Sequence, residues 1–179
     1  MTSPTRRALA LDVAVLPSPV GPLVVITAAG VVVASGFGTV AQVVQLLPAE
    51  LADLDRHLEA DLGPIAEAVR AYTAGDLAAL DLVPVEQPGG PFLVEAWRVM
   101  RDIPAGETWS YAELATKAGR PAAVRAAGQA CAQNRVAPFV PCHRVVRSDG
   151  SLGGYAYSLP TKRALLDFEA GQSALSAPS

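Results

Sequence analysis

The sequence predicts an α+β fold, and three observations carry that prediction. β-Branched segments crowd into the first 36 residues, helical periodicity prevails from residue 40 onward, and a proline- and glycine-rich stretch separates two halves at 81–91. Strand-like runs fall at 13–16, 23–27 and 31–36, joined by Pro17, Pro19, Gly21 and Pro22 and then by Ala28-Ala29-Gly30. The last two runs read as a buried β-hairpin, which predicts a small antiparallel sheet. The first ten residues read as a loose tail.

From 40 to 74 the period changes. Val43, Leu46 and Leu47, then Leu51, Leu54 and Leu58, recur at three- and four-residue steps, the spacing of a helix face. Pro48 splits off a first short helix, Leu62-Gly63-Pro64 breaks the run again, and Gly75 stops the segment resumed at 65–74. The resulting division is an N-terminal domain over 1–80, a linker over 81–91 containing Pro84, Pro88, Gly89, Gly90 and Pro91, and a C-terminal domain over 92–179. That domain opens with an amphipathic helix at 92–102, with Phe92, Ala96, Val99 and Met100 on one side. Ser110 can cap a helix at 111–118, and Glu113 completes a capping box. Gly119-Arg120-Pro121 turns the chain into an alanine-rich helix at 122–132. Two short helices around such a turn fit a helix-turn-helix, although many αα-hairpins share the pattern.

Net charge is −3, which by itself argues against a nucleic-acid partner. The halves differ: residues 1–90 hold 4 basic and 10 acidic side chains, net −6, and 91–179 hold 10 and 7, net +3. The second half can therefore attract phosphate while the first repels it. No charge lies between Asp12 and Glu50, but Pro17, Pro19, Gly21, Pro22, Gly30, Gly36 and Gly38 interrupt the stretch, so no membrane span is expected. Two cysteines, Cys131 and Cys142, and two histidines, His57 and His143, leave no zinc-ligand spacing, so no metal is expected. They fit a reducing cytoplasm with at least one free thiol. His57, placed in the leucine-patterned helix, reads as structural.

Chemistry concentrates in Phe139-Val140-Pro141-Cys142-His143-Arg144-Val145-Val146. A neighbouring imidazole or guanidinium favours the thiolate, the nucleophilic form of cysteine. Adjacent side chains in a strand point to opposite faces, so Cys142 and His143 must sit on a bend or communicate through water. On the residues alone, a reactive thiol and an inert buried thiol both remain open.

The Pro141-Cys142-His143-Arg144-Val145-Val146 run resembles the active-site signature of the O6-alkylguanine-DNA alkyltransferases. The resemblance extends in order through Ile103-Pro-x-Gly-x-Thr-x-Ser-Tyr111-x-x-Leu-Ala115, Arg125-Ala126-Ala127-Gly128, Asn134, Gly153-Gly154-Tyr155 and Leu165-Leu166-x-x-Glu169. It covers roughly 92–169; the N-terminal half is similar only through Ser18-Pro19-x-Gly21-Pro22-Leu23 and the β-rich sequence after it.

The resemblance implies a small N-terminal α/β domain and a C-terminal winged helix-turn-helix alkyltransferase domain. It implies irreversible transfer of an alkyl group from O6-alkylguanine, and from O4-alkylthymine, to Cys142, once per molecule and with no cofactor. The expected partner is alkylated DNA, approached by a monomer from the minor groove with the damaged base flipped out. Arg125 would fill the vacated stack, and Ala126, Ala127 and Gly128 would permit close approach. His143 would act through water as base, Glu169 would orient it, and Tyr111 would donate to guanine N3. Asn134 would brace the turn before the active site. Val145, Tyr155, Ala156 and Tyr157 would line the pocket, with carbonyls near Val145 reading the base amino group. Arg144 is expected to be structural or electrostatic, and Cys131 a packing residue. Tyr157 stands where several relatives have small residues, which predicts a narrowed pocket and weaker activity on bulky adducts. Trp109 has no firm account. A lesion-binding relative without the acceptor cysteine, a helix-turn-helix regulator and a turning-over cysteine hydrolase are the rival readings; the first conflicts with the presence of Cys142.

Overall fold

In the computed structural model, which describes residues 9–176, the hairpin predicted from the sequence is present and lengthened. Strands β1 (Leu11–Ser18), β2 (Gly21–Ala28) and β3 (Val31–Phe37) form an antiparallel meander. Ala29 (φ 49°) and Gly30 (φ 81°) make the β2–β3 connection, both with the positive φ of a type I′ turn. The run Leu23–Thr27 of β2 is buried on both faces, and alternation sorts its side chains into two layers. Leu23 and Val25 join the large core shared with the C-terminal half, while Val24 and Ile26 meet Val43 and Leu47 on the other side. Each such burial is worth about 1.5–3 kcal/mol, so the sheet is held by what covers it.

The region 40–74 departs from the sequence expectation. Helices α1 (Val40–Val44) and α2 (Ala49–Ala52) are short, and strand β4 (Arg56–His57) follows where the leucine spacing predicts helix. β4 pairs parallel to β1, giving the order β3-β2-β1-β4 and a mixed sheet rather than a purely antiparallel one. The competing demand is the edge of β1: Leu11 N–H donates to the Asp55 carbonyl and Ala60 N–H to the Val13 carbonyl, bonds a helix could not supply. Leu51 and Leu54 still pack against the smaller core, but Leu58 is exposed. Helix α3 (Pro64–Thr73) begins with proline in its first turn, and Gly75 follows its end.

Residues 81–91 are tied to the sheet. Val32 N–H donates to the Pro84 carbonyl, Glu86 N–H donates to the Val32 carbonyl, and Arg101 Nη2 donates to the carbonyls of Leu80, Asp81 and Val83. Helix α4 (Pro91–Met100) then packs with α5 (Tyr111–Lys117) and α6 (Val124–Ala132), the helix-turn-helix pair. The Ser110 capping box is present, with Ser110 N–H donating to the Glu113 carboxylate at 2.6 Å and Glu113 N–H to Ser110 Oγ at 3.1 Å. Strand β5 (Trp109–Ser110) pairs parallel with β6 (Val145–Val146), which fixes the start of α5 beside the Cys142 segment. Helix α7 (Leu159–Ser176) closes the fold. Among the described residues no helix is long and apolar enough to cross a membrane.

Candidate active site

Cys142 and His143 sit on a bend, one of the two options the sequence left open. Cys142–Arg144 form a single 3-10 turn between Pro141 and β6, so three consecutive side chains diverge instead of alternating. Cys142 is 7% exposed. Asn134, just beyond the end of α6, donates from Nδ2 to the Val140 carbonyl at 2.8 Å and to Cys142 Sγ at 3.3 Å. Its Oδ1 accepts from Val136 N–H and from Gln87 Nε2, both at 3.1 Å. Helix end, 81–91 segment and thiol thus meet on one amide. Burial pushes the Cys142 thiol above its ordinary range, while the Asn134 hydrogen bond and the Lys162 ammonium pull the other way.

The other two side chains of the turn converge on Glu169 of α7. His143 Nε2 lies 2.8 Å from Oε1, and Arg144 donates from Nη2 to Oε1 at 2.9 Å and from Nε to Oε2 at 3.0 Å. Arg144 also donates from Nη1 to the Ile103 carbonyl. All three residues are buried. Burial would raise the Glu169 carboxyl, but His143 and Arg144 outweigh it and hold it well below the usual carboxylate range. Burial lowers the His143 imidazole against the pull of Glu169, so the ring is neutral at pH 7. Its Nε2 proton then faces the carboxylate and Nδ1, buried and without a partner among the described residues, is the acceptor.

Tyr111, at the first position of α5, lines an open groove with Val124, Arg125, Gly128, Arg147, Gly153 and Gly154. Burial raises its phenol, which keeps it protonated and able to donate. Gly153 fits closely: a Cβ there would lie 2.6 Å from the Tyr111 hydroxyl oxygen. Arg125 is exposed and Gly128 half-buried on α6, but Ala127 is fully buried. Its side chain supports the helix from inside and cannot meet DNA, a correction to the sequence expectation that arises because α6 turns that face onto α4 and α5.

The remaining pocket residues divide between two places. Ala156 and Tyr157 line a separate cleft with Phe37, Gln42, Gln133 and Asn134. The Tyr157 hydroxyl donates to the Ser35 carbonyl at 3.2 Å and its ring meets Phe37 edge-on. Gly36 has no room for a Cβ, because the Tyr157 ring and hydroxyl occupy that space. The Tyr155 hydroxyl is buried with no partner among the described residues. The Val145 carbonyl accepts from Lys162 at 2.7 Å.

Lys162 is the main residue that sequence reasoning missed. It is completely buried, and its Nζ also donates to the carbonyls of Leu152 and Gly154, clamping β6 to the glycine loop. The available signal was spacing: Lys162, Leu165 and Glu169 recur at three and four residues on one helix face. Tyr72 was missed as well; it donates to Glu169 Oε1 at 2.8 Å from the N-terminal half. His57 lies on β4 and not in a helix, with Nδ1 3.2 Å from Asp12 Oδ1. Cys131 is partly buried in the core, and burial raises its thiol strongly.

What this bend offers is one thiol, shielded from bulk water yet hydrogen-bonded, directly beyond a helix pair of the DNA-reading kind. That combination is the one expected of a DNA-binding protein that carries its own nucleophile. Residues 91–171 match the family described as 6-O-methylguanine DNA methyltransferase, DNA binding domain. The methylated-DNA–protein-cysteine methyltransferase of Mycobacterium bovis is 37% identical over 155 residues, covering 85% of this chain and 88% of the relative. Its counterpart in Shigella flexneri is 40% identical over 107 residues, 60% of this chain, and the match spans 63% of that relative. The crystal structure of Mycobacterium tuberculosis OGT in complex with DNA superposes with a TM-score of 0.74 at 30% identity, over 90% of this chain and 94% of that one. The chain belongs to the O6-methylguanine-DNA methyltransferase family.

Proposed function

We propose that this chain repairs DNA by direct reversal, taking the alkyl group of O6-alkylguanine, and of O4-alkylthymine, onto its own Cys142. The observation that carries the reading is the Cys142 thiol itself, bonded by Asn134 in a turn whose next residue, His143, is anchored on Glu169. The thiol proton passes to the free Nδ1 of His143 through a bridging water, and Glu169 stabilises the imidazolium that results. Sγ then attacks the alkyl carbon, an S–C bond forms, and the O6–C bond breaks with its electron pair left on guanine. Tyr111 donates toward guanine N3 as that charge develops. A thioether cannot be hydrolysed back, so each molecule acts once and needs no cofactor.

The groove beside Tyr111 and Arg125 supports one approach to DNA. A monomer enters the minor groove on α6, Arg125 fills the space left by the flipped base, and Ala126 and Gly128 admit the backbone. A reducing, cytoplasmic setting keeps both thiols available. The test is intact mass after incubation with an oligonucleotide carrying O6-methylguanine. One added methyl group, mapped to Cys142 and absent from Cys142→Ala, is expected. Binding without a mass change in the wild type would refute repair, and repeated product release per molecule would indicate a hydrolase instead.

A further inference from the structure

We infer that Tyr72, contributed by the N-terminal half, is a positioning residue of the reaction, which acts through Glu169 to hold His143 as a neutral proton acceptor. The inference rests on the alkyl-transfer reading for its kinetic consequence and on geometry for the rest. Tyr72 lies on the buried face of α3 with Ile65, Ala66 and Val69, and its ring meets Phe168 edge-on at 5.5 Å. A phenylalanine would pack the same way. The hydroxyl is what packing does not require, and it is aimed at Glu169 Oε1 across the junction of the two halves.

Glu169 Oε1 accepts three donors, from Tyr72, His143 and Arg144, and Oε2 accepts one from Arg144. Four donors, three of them crowded onto Oε1, hold the carboxylate in one orientation and share its charge. The share withdrawn by Tyr72 is charge that His143 does not feel. Without it the imidazolium would be better stabilised and the ring would hold its proton to higher pH. The charged and titratable groups around this carboxylate are His143 and Arg144 from the 3-10 turn, Cys142 beside them, Lys162 on α7, Tyr155 from the preceding loop and Asp81. Among the described hydroxyl groups near it, Tyr72 is the one that donates to Glu169. Burial first, and then Glu169, keep its phenol protonated, so it donates throughout the working range.

Two variants of the full chain test this, Tyr72→Phe and 3-fluorotyrosine placed at position 72 alone, the second a stronger donor of nearly the same shape. The chain has two histidines, so ring 15N signals are assigned with His57→Gln, and the His143 titration is read without DNA. The expected result is an upward shift of the His143 midpoint by about 0.5–1 pH unit in Tyr72→Phe and a downward shift with fluorotyrosine. Alkyl transfer below the midpoint should then slow roughly 3- to 10-fold in Tyr72→Phe, while the rate at pH 8.5 stays within about two-fold of wild type. An unmoved midpoint and acid limb in both variants would overturn the inference, whatever happens to the melting temperature. A wild type that never gains a methyl group overturns the repair reading separately, because opposite midpoint shifts in the two variants would still establish Tyr72 as the residue that sets His143.

Discussion

Two histidine–carboxylate pairs in this chain look alike on paper and differ in almost every physical respect. His57 lies 3.2 Å from Asp12 at the sheet edge, with side chains 68% and 45% exposed. His143 lies 2.8 Å from Glu169 in the interior, with side chains 1% and 0% exposed. Water and salt screen the first pair, and neither partner depends on the other. The second is shielded from bulk water, so the Glu169 carboxylate depends on its protein donors, and Arg144 and Tyr72 join His143 in supplying them. Proximity alone therefore says little; surroundings decide whether a pair is ornament or structure.

Breaking the inner pair should produce the largest effect. Glu169→Gln leaves Arg144 buried without its counter-charge, and should cost about 3–5 kcal/mol in urea unfolding while abolishing methyl transfer. Acid sharpens the contrast next. The folded state depresses both the Glu169 and His143 pKa values, so the unfolded chain binds more protons and stability must fall as pH falls. The His143 contribution is complete above about pH 6.5 and is lost below it; the Glu169 contribution is complete above about pH 4.3 and fades toward its lower folded value. Melting temperature should decline through both windows, and the lower-pH part should flatten in Glu169→Gln.

Smaller effects probe the contacts between the halves and the sheet itself. Tyr157→Gly releases the contact on Ser35 and Phe37 and opens the cleft that Asn134 shares with the Cys142 thiol, and should raise the benzyl-to-methyl transfer ratio roughly 10-fold. Equal wild-type rates on the two adducts would refute a size filter at Tyr157. Asp12→Asn, the outer counterpart of the Glu169 change, should move stability by less than about 1 kcal/mol. Ala29→Asn places a residue tolerant of positive φ in the β2–β3 turn and should add about 0.5–1 kcal/mol without altering transfer rates.

The elements legible in the sequence were those specified locally. Residues 23–27 and 31–34 announce a hairpin by β-branching and a glycine turn, and Ser110 with Glu113 announces a helix start. β4 was not legible, because Arg56 and His57 form a strand only through bonds that β1 demands from a distant segment. The same holds for the site. The Cys142–Arg144 run and its family order pointed to the chemistry, and Glu169 was found by that order. Tyr72 and Gln87 were invisible, because each is fixed by long-range hydrogen bonds that no spacing encodes. Ala127 was misplaced because an alanine-rich helix hides which of its small faces turns inward.

The fit of Tyr157 over Gly36 ties two positions 121 residues apart into one unit of inheritance. A lineage that acquired any side chain at 36 would have to shrink or move the residue at 157 in the same history, and one that lost the tyrosine would be free to fill 36. Alignments of close relatives should therefore show the two positions changing together, glycine with tyrosine and larger with small.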